Sequence, residues 1–178
     1  MNRPAIMLIA ALAVSGTYSV GLKAYLLNRE DPETVLPRGE AAPTFELATL
    51  DGTELDLAQI AGENKIVLVN FWATWCQPCR LEMPQLERIY DEYHGQGLEI
   101  LAISAEDPST IEAFLAEHPY SYPILVDPDR VVAERYGIEA IPTTVMIDAD
   151  GKVIRVRTGL SPILEAEIKR LMERDDER

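Results

Sequence analysis

Cysteine is almost absent from this chain: 178 residues contain two, Cys76 and Cys79. One pair cannot staple a small domain, so a disulfide-rich scaffold is excluded and the two thiols are either incidental or functional. Histidine is equally scarce, with only His94 and His118. A zinc site built on the two cysteines would need both, and their distances from the pair are unlike those of a compact finger. An excess of positive charge is missing as well. Thirty acidic residues face 16 basic ones, a formal net charge of −14. Such a surface repels phosphate backbones and has no counterion-release driving force, which argues against nucleic acid as a partner. No internal repeat is visible. What remains is the composition of an ordinary globular protein, 47% apolar and 26% charged, with length for one domain plus an appendage.

Formal charge is absent from Ala5 to Leu22, 18 residues bracketed by Arg3 and Lys23. As a helix that run is roughly 27 Å long, close to the hydrocarbon thickness of a bilayer. Residues 1–28 therefore read as a signal-anchor transmembrane segment, with Tyr25, Leu26 and Leu27 at the interface. The competing reading is a signal peptide cleaved after Ala13-Val14-Ser15. A buried amphipathic helix would need a polar face that is not there. Residues 29–42 read as a linker, charged and aperiodic with Pro32, Pro37 and Gly39. The folded domain then spans 43–178.

Within that domain, strand and helix patterns alternate. Phe45 to Ala48 and Glu54 to Leu57 flank Asp51-Gly52, a hairpin signal. Lys65 to Trp72 is a β-branched apolar run expected of a strand buried on both faces, and Leu98 to Ser104 is a second. Cys79 to Tyr93 has a helical pattern, as does Ser109 to His118 with Ile111, Phe114 and Leu115 on one face. A short strand over Tyr122 to Val126 and a short helix over Arg130 to Tyr136 follow. Thr143 to Asp148 and Lys152 to Thr158 form another hairpin around Asp150-Gly151. Ser161 is placed to cap a last helix carrying Ile163, Leu164, Ile168 and Leu171. The sum is an α/β fold: a mixed sheet flanked by helices, with an N-terminal β-hairpin.

Cys76-Gln77-Pro78-Cys79 falls where a buried strand ends and a helix begins. Unpaired N–H groups and the positive end of the helix dipole favour thiolate there, so Cys76 is expected to be the attacking nucleophile. Cys79, one turn later, can resolve a mixed disulfide. Pro78 is tolerated in the first turn, where its missing N–H costs nothing. Trp72 and Trp75 are expected to wall the site. His94 is read as a helix-end residue and His118 as a loop residue.

The stretch Val69 to Cys79 (VNFWATWCQPC) resembles the active-site segment of thioredoxin-like proteins, most closely the membrane-anchored TlpA and ResA group. Tyr136 to Thr144 (YGIEAIPTT) is similar to the segment of that family carrying a cis-proline, and Ala42 to Phe45 to its domain entry. The resemblance covers Ala41 to Leu171. It implies a thioredoxin-like fold with a central insertion, Ser104 to Asp129, and a protein-disulfide oxidoreductase needing no cofactor. It implies a cis Ile141-Pro142 peptide that presents the Ile141 backbone to an extended partner. Cys76, Cys79 and Glu82 would be catalytic, and Trp75, Pro78, Ile141 and Pro142 would contact substrate.

Asn70 stands where cytoplasmic thioredoxin has a buried aspartate, and Glu82, one turn after Cys79, resembles an acidic residue of the TlpA and ResA group, which implies a proton acceptor for the buried thiol. The alternative for Glu82 is a solvated helix carboxylate. The resemblance further implies protein substrates with disulfides, a membrane-embedded electron donor, and a periplasmic setting such as cytochrome c-type biogenesis. The segment around Pro142 lacks the Gly-x-Pro-Glu variant of the dedicated cytochrome c maturation thioredoxins. Two other activities stay open. A thiol peroxidase of this fold uses Thr three residues before its cysteine, where Ala73 stands. A copper-delivery module would bind Cu(I) through the two thiolates.

Overall fold

The computed structural model of the protein describes residues 36–175. The expected transmembrane segment, 1–28, lies outside them, as do residues 29–35 and 176–178. Among the described residues no helix is long and apolar enough to cross a membrane.

Strands β1 (Glu46–Ala48) and β2 (Glu54–Asp56) form the expected hairpin, with Leu47 opposite Leu55. Its turn uses Gly52 at φ 86°, a left-handed conformation open to glycine at little cost. β2 stops one residue earlier than expected, because Asp56 turns the chain into a helix the sequence pattern does not announce. This helix, α1 (Leu57–Glu63), begins where the Asp56 carboxylate accepts the amides of Ala58 and Gln59 at 2.6 and 3.0 Å. An N-cap of this kind contributes about 1 kcal/mol. Seven residues ending near Gly62 give too few apolar repeats to register as a period.

The main sheet is built from β3 (Ile66–Trp72), β4 (Leu98–Ser104), β5 (Ile124–Val126), β6 (Thr143–Asp148) and β7 (Val153–Thr158). Their spatial order is β5-β4-β3-β6-β7. β4 runs parallel to β3 and β5 parallel to β4, whereas β6 and β7 are antiparallel additions. Every residue of β3 is buried, as a central strand covered on both faces must be. The hairpin closes one edge: Thr49 bridges Leu125, and the Leu50 amide donates to the Ile124 carbonyl at 3.3 Å. Residues 39–42, read from sequence as the end of a linker, lie against β7, where the Gly39 amide reaches the Val153 carbonyl at 2.8 Å.

Alternation along β3 splits the core in two. Val67, Val69 and Phe71 pack with Leu101, Ile103, Val145 and Ile147 under α1 and α4 (Val131–Arg135). Ile66, Leu68 and Trp72 pack on the opposite face under α2 (Gln77–Tyr93), α3 (Pro108–Glu117) and α5 (Leu164–Asp175). A buried ion cluster fastens α5 to β7. Glu167 takes two hydrogen bonds from Arg157, both 3.0 Å, and a contact from Arg155 at 2.7 Å. Fork-to-fork pairing of this kind fixes orientation as well as adding energy.

Helix α2 starts at Gln77, two residues before the expected Cys79, and runs through Pro84 without ending. Ser161 makes a turn to α5 through its carbonyl, which accepts the Leu164 amide at 3.4 Å, so the helix starts later than a Ser161 cap would place it.

Candidate active site

Three chain segments meet at one end of the sheet because of strand direction. β3 and β4 run parallel, so Trp72 and Ser104 are paired at their C-terminal ends. β6 is antiparallel and begins beside Phe71, at Thr143. The turn into α2, the turn leaving β4 and the Ile141-Pro142 peptide are thus brought to the same edge. That peptide is cis. The Pro142 carbonyl accepts the Gly159 amide at 2.7 Å, tying it to the loop before α5.

Cys76 is the N-cap of α2 and is joined to Cys79 by a disulfide. Its sulfur accepts the Cys79 amide at 3.2 Å, and its carbonyl accepts the Arg80 amide at 3.1 Å as the first helical bond. One of the four amides a helix leaves unpaired is thus aimed at Sγ, the geometry that favours a thiolate once the disulfide opens. Pro78 occupies the first turn of α2. Both cysteines are buried in the oxidised form, at 4% and 1% exposure.

Glu82 lies on the inner face of α2 at 2% exposure, so the solvated reading of this carboxylate does not hold. Burial raises it to about 7, and hydrogen bonds from the Asn70 side chain and the Ser161 backbone amide oppose that rise. Asn70 is delivered by strand parity: as the even-numbered neighbour of Leu68 and Trp72 it points to the α2 face. Its amide nitrogen donates to Glu82 Oε2 at 3.2 Å and to Thr144 Oγ1 at 2.9 Å. Thr144 is also its cross-strand partner. Sequence reasoning placed Asn70 and Glu82 here but missed Thr144, which only pairing of β3 with β6 brings in.

The two tryptophans part company. Trp75 stands 73% exposed, whereas Trp72 is buried and packs on Phe114 with ring centroids 5.6 Å apart. Trp75 is the one that projects into solvent. Both tryptophans line a groove of about 210 Å³ together with Ile141, Ile138, Glu106 and Arg130. His94 sits 3.5 Å from Glu99 and packs at a tilt against Tyr90, and His118 packs at a tilt against Phe114. Neither joins the cysteines.

A cysteine pair at a strand-to-helix turn, with a cis-proline at the same edge of the sheet and a buried carboxyl one turn further along the helix, defines a thioredoxin-like dithiol–disulfide oxidoreductase. Comparison with known proteins agrees. The model of the AhpC/TSA family matches residues 38–156. The thiol-disulfide oxidoreductase ResA of Halalkalibacterium halodurans is 40% identical over 122 residues, 68% of each chain. The ResA of Bacillus subtilis is 34% identical over 125 residues, 70% of this chain and 69% of that one. A putative thiol:disulfide interchange protein DsbE from Chlorobium tepidum superposes with a TM-score of 0.72 at 30% identity, over 77% of this chain and 99% of that one. The chain belongs to the AhpC/TSA family and, within it, to the ResA and TlpA group of thiol-disulfide oxidoreductases.

Proposed function

We propose that this protein reduces disulfides of other proteins on the outer side of the cytoplasmic membrane, held there by residues 1–28 and recharged by a membrane-embedded thiol donor. The observation that carries the chemistry is a disulfide whose first sulfur caps a helix, with the buried Glu82 three residues after Cys79 on that same helix. In the reduced protein the Cys76 thiolate attacks a substrate disulfide and forms a mixed disulfide, releasing one substrate thiolate. Glu82 takes the proton from Cys79. The Cys79 thiolate then attacks Cys76 Sγ, closes the internal disulfide and expels the second substrate thiolate, which is protonated. Two electrons have passed from the dithiol to the substrate, and a donor dithiol restores the starting state.

A carboxyl near pH 7 suits this task, since both of its protonation states are populated at working pH. Trp75 and Ile141 border one groove, and Ile141 carries the cis peptide to Pro142, which supports their assignment as the substrate contacts, with Pro78 between the two cysteines in the first turn of α2. Strand-like docking along Ile141 would supply main-chain hydrogen bonds independent of substrate sequence. The compartment follows from chemistry: disulfides persist and need reduction outside the cytoplasm. The charge-free run from Ala5 to Leu22 supplies the tether.

Two measurements on the full chain test the reading. A midpoint potential near or below about −220 mV is expected, and one near −120 mV would make the protein an oxidant instead. Cys79→Ser is expected to accumulate mixed disulfides through Cys76 with client proteins. A variant that traps none removes the proposed resolving role.

A further inference from the structure

The insertion between β4 and β5 grips the cysteine turn from outside the dithiol itself. The turn is tight, with the Cys76 amide donating to the Ala73 carbonyl at 3.1 Å. At its crest, Thr74 offers an amide and a hydroxyl, and both go to one residue of the insertion. Glu106 Oε2 accepts the Thr74 amide at 2.6 Å, and Oε1 accepts the Thr74 hydroxyl at 2.7 Å. Glu106 is itself aimed by Ser104, the last residue of β4. The Ser104 hydroxyl donates to Oε2 at 3.3 Å and accepts the Glu106 amide at 3.3 Å. Ser104 is fixed in turn, buried and paired with Trp72. A continuous chain of bonds thus runs from the end of β4 to the residue two before Cys76. The insertion also holds the far side of the site, where Glu87 of α2 accepts the Ser121 amide at 2.9 and 3.0 Å and the Arg80 guanidinium lies over Phe114.

We infer that Glu106 is a positioning residue for dithiol exchange: by clamping both donors of Thr74 it holds the turn that seats Cys76 Sγ against the Cys79 amide. Charge-assisted hydrogen bonds are the strong ones, and a carboxylate gripping two donors also fixes direction. The contact that favours the Cys76 thiolate is a single N–H at 3.2 Å. A turn free to swing would lengthen it and misalign the sulfur with its target. Displacements of about 1 Å in an attacking group cost up to about a hundredfold in rate. Glu106 touches neither cysteine, so its effect is transmitted through Thr74. The inference rests on the dithiol-exchange chemistry above and holds whichever way electrons flow.

The test keeps the charge and removes the grip. Glu106→Asp retains the carboxylate but is one methylene too short for both contacts. Thr74→Val deletes the hydroxyl donor with almost no change of shape, and Thr74→Ser preserves it. In the full, reduced chain, the pH profile of Cys76 alkylation by iodoacetamide reports the thiolate, and kcat/KM with a peptide disulfide reports exchange. Glu106→Asp is expected to move the alkylation profile to higher pH and lower kcat/KM about tenfold. Thr74→Val should change both in the same direction by about threefold, and Thr74→Ser should match the parent. If Thr74→Val and Glu106→Asp alkylate and turn over like the parent, Glu106 is only a brace and the inference is overturned. Should Glu106→Asp not fold, Thr74→Val alone decides. A parent chain that shows no dithiol exchange would instead sink the functional reading, a distinct outcome.

Discussion

The two faces of the central sheet use the same strand for different ends. Toward α1 and α4, β3 presents Val67, Val69 and Phe71 to an apolar core. Toward α2, the same strand presents Ile66, Leu68, Asn70 and Trp72, and this side holds both cysteines and an ionisable carboxyl. The first face can be packed for stability alone. On the second, burial raises the Glu82 carboxyl to about 7, and a buried charge without a cation partner is destabilising. Stability and chemistry are thus divided by the parity of one strand.

The largest expected contrast comes from cutting into the apolar face. Leu101→Ala, at a fully buried position there, is expected to cost about 3 kcal/mol while leaving the midpoint potential unchanged. Denaturant unfolding and a redox titration read the two effects separately, and a potential that moves with Leu101 would break the division between faces.

Glu82→Gln is expected to do the opposite. The folded value of Glu82, about 7, lies above its ordinary value of 4.5. Between those limits the native state binds more protons than the unfolded chain, so this group makes stability fall as pH rises from about 4.5 to about 7. Replacing it should therefore stabilise the oxidised protein by about 3 kcal/mol well above pH 7 and by little at pH 4, while slowing exchange about a hundredfold. Unfolding curves at pH 8 and pH 4 check the sign. Equal stability changes at both pH values would show that the carboxyl does not titrate in between.

The smallest effect is expected at the rim of the apolar face. Asp56→Ala removes the cap of α1 and should cost about 1 kcal/mol without altering exchange kinetics. Thermal unfolding beside a peptide-disulfide assay measures both, and a loss of activity would mean that α1 communicates with the site.

Most of the sheet was legible because its strands are either fully buried apolar runs or hairpins punctuated by Asp-Gly. β4 and β6 carry the limits their sequence patterns imply, since β-branched runs bounded by turns leave few alternatives. α1 was not legible. Its signal is one capping aspartate and seven residues, and Leu57 served equally well as the end of a strand. The start of α2 was read late because Gln77 and Pro78 carry no apolar period, although Pro in a first turn is itself a start signal. Trp72 and Trp75 look equivalent as letters, and only the end of β3 between them decides that one is core and the other surface.

The sequence by itself determined the local geometry of the cysteine pair. A lone Cys-x-x-Cys after a buried strand and before a helix sets which thiol caps the helix, and Glu82 follows at one turn's spacing by helix geometry. Contacts between segments far apart in the chain were decided by tertiary structure alone. Thr144 meets Asn70 because β6 pairs with β3 in one register. Glu167 meets Arg157 because α5 folds back on β7. Glu106 reaches Thr74, 32 positions earlier, because β3 and β4 end side by side. Hydrogen-bond partners at such separations leave no period or motif in a single chain, since the fold supplies their proximity.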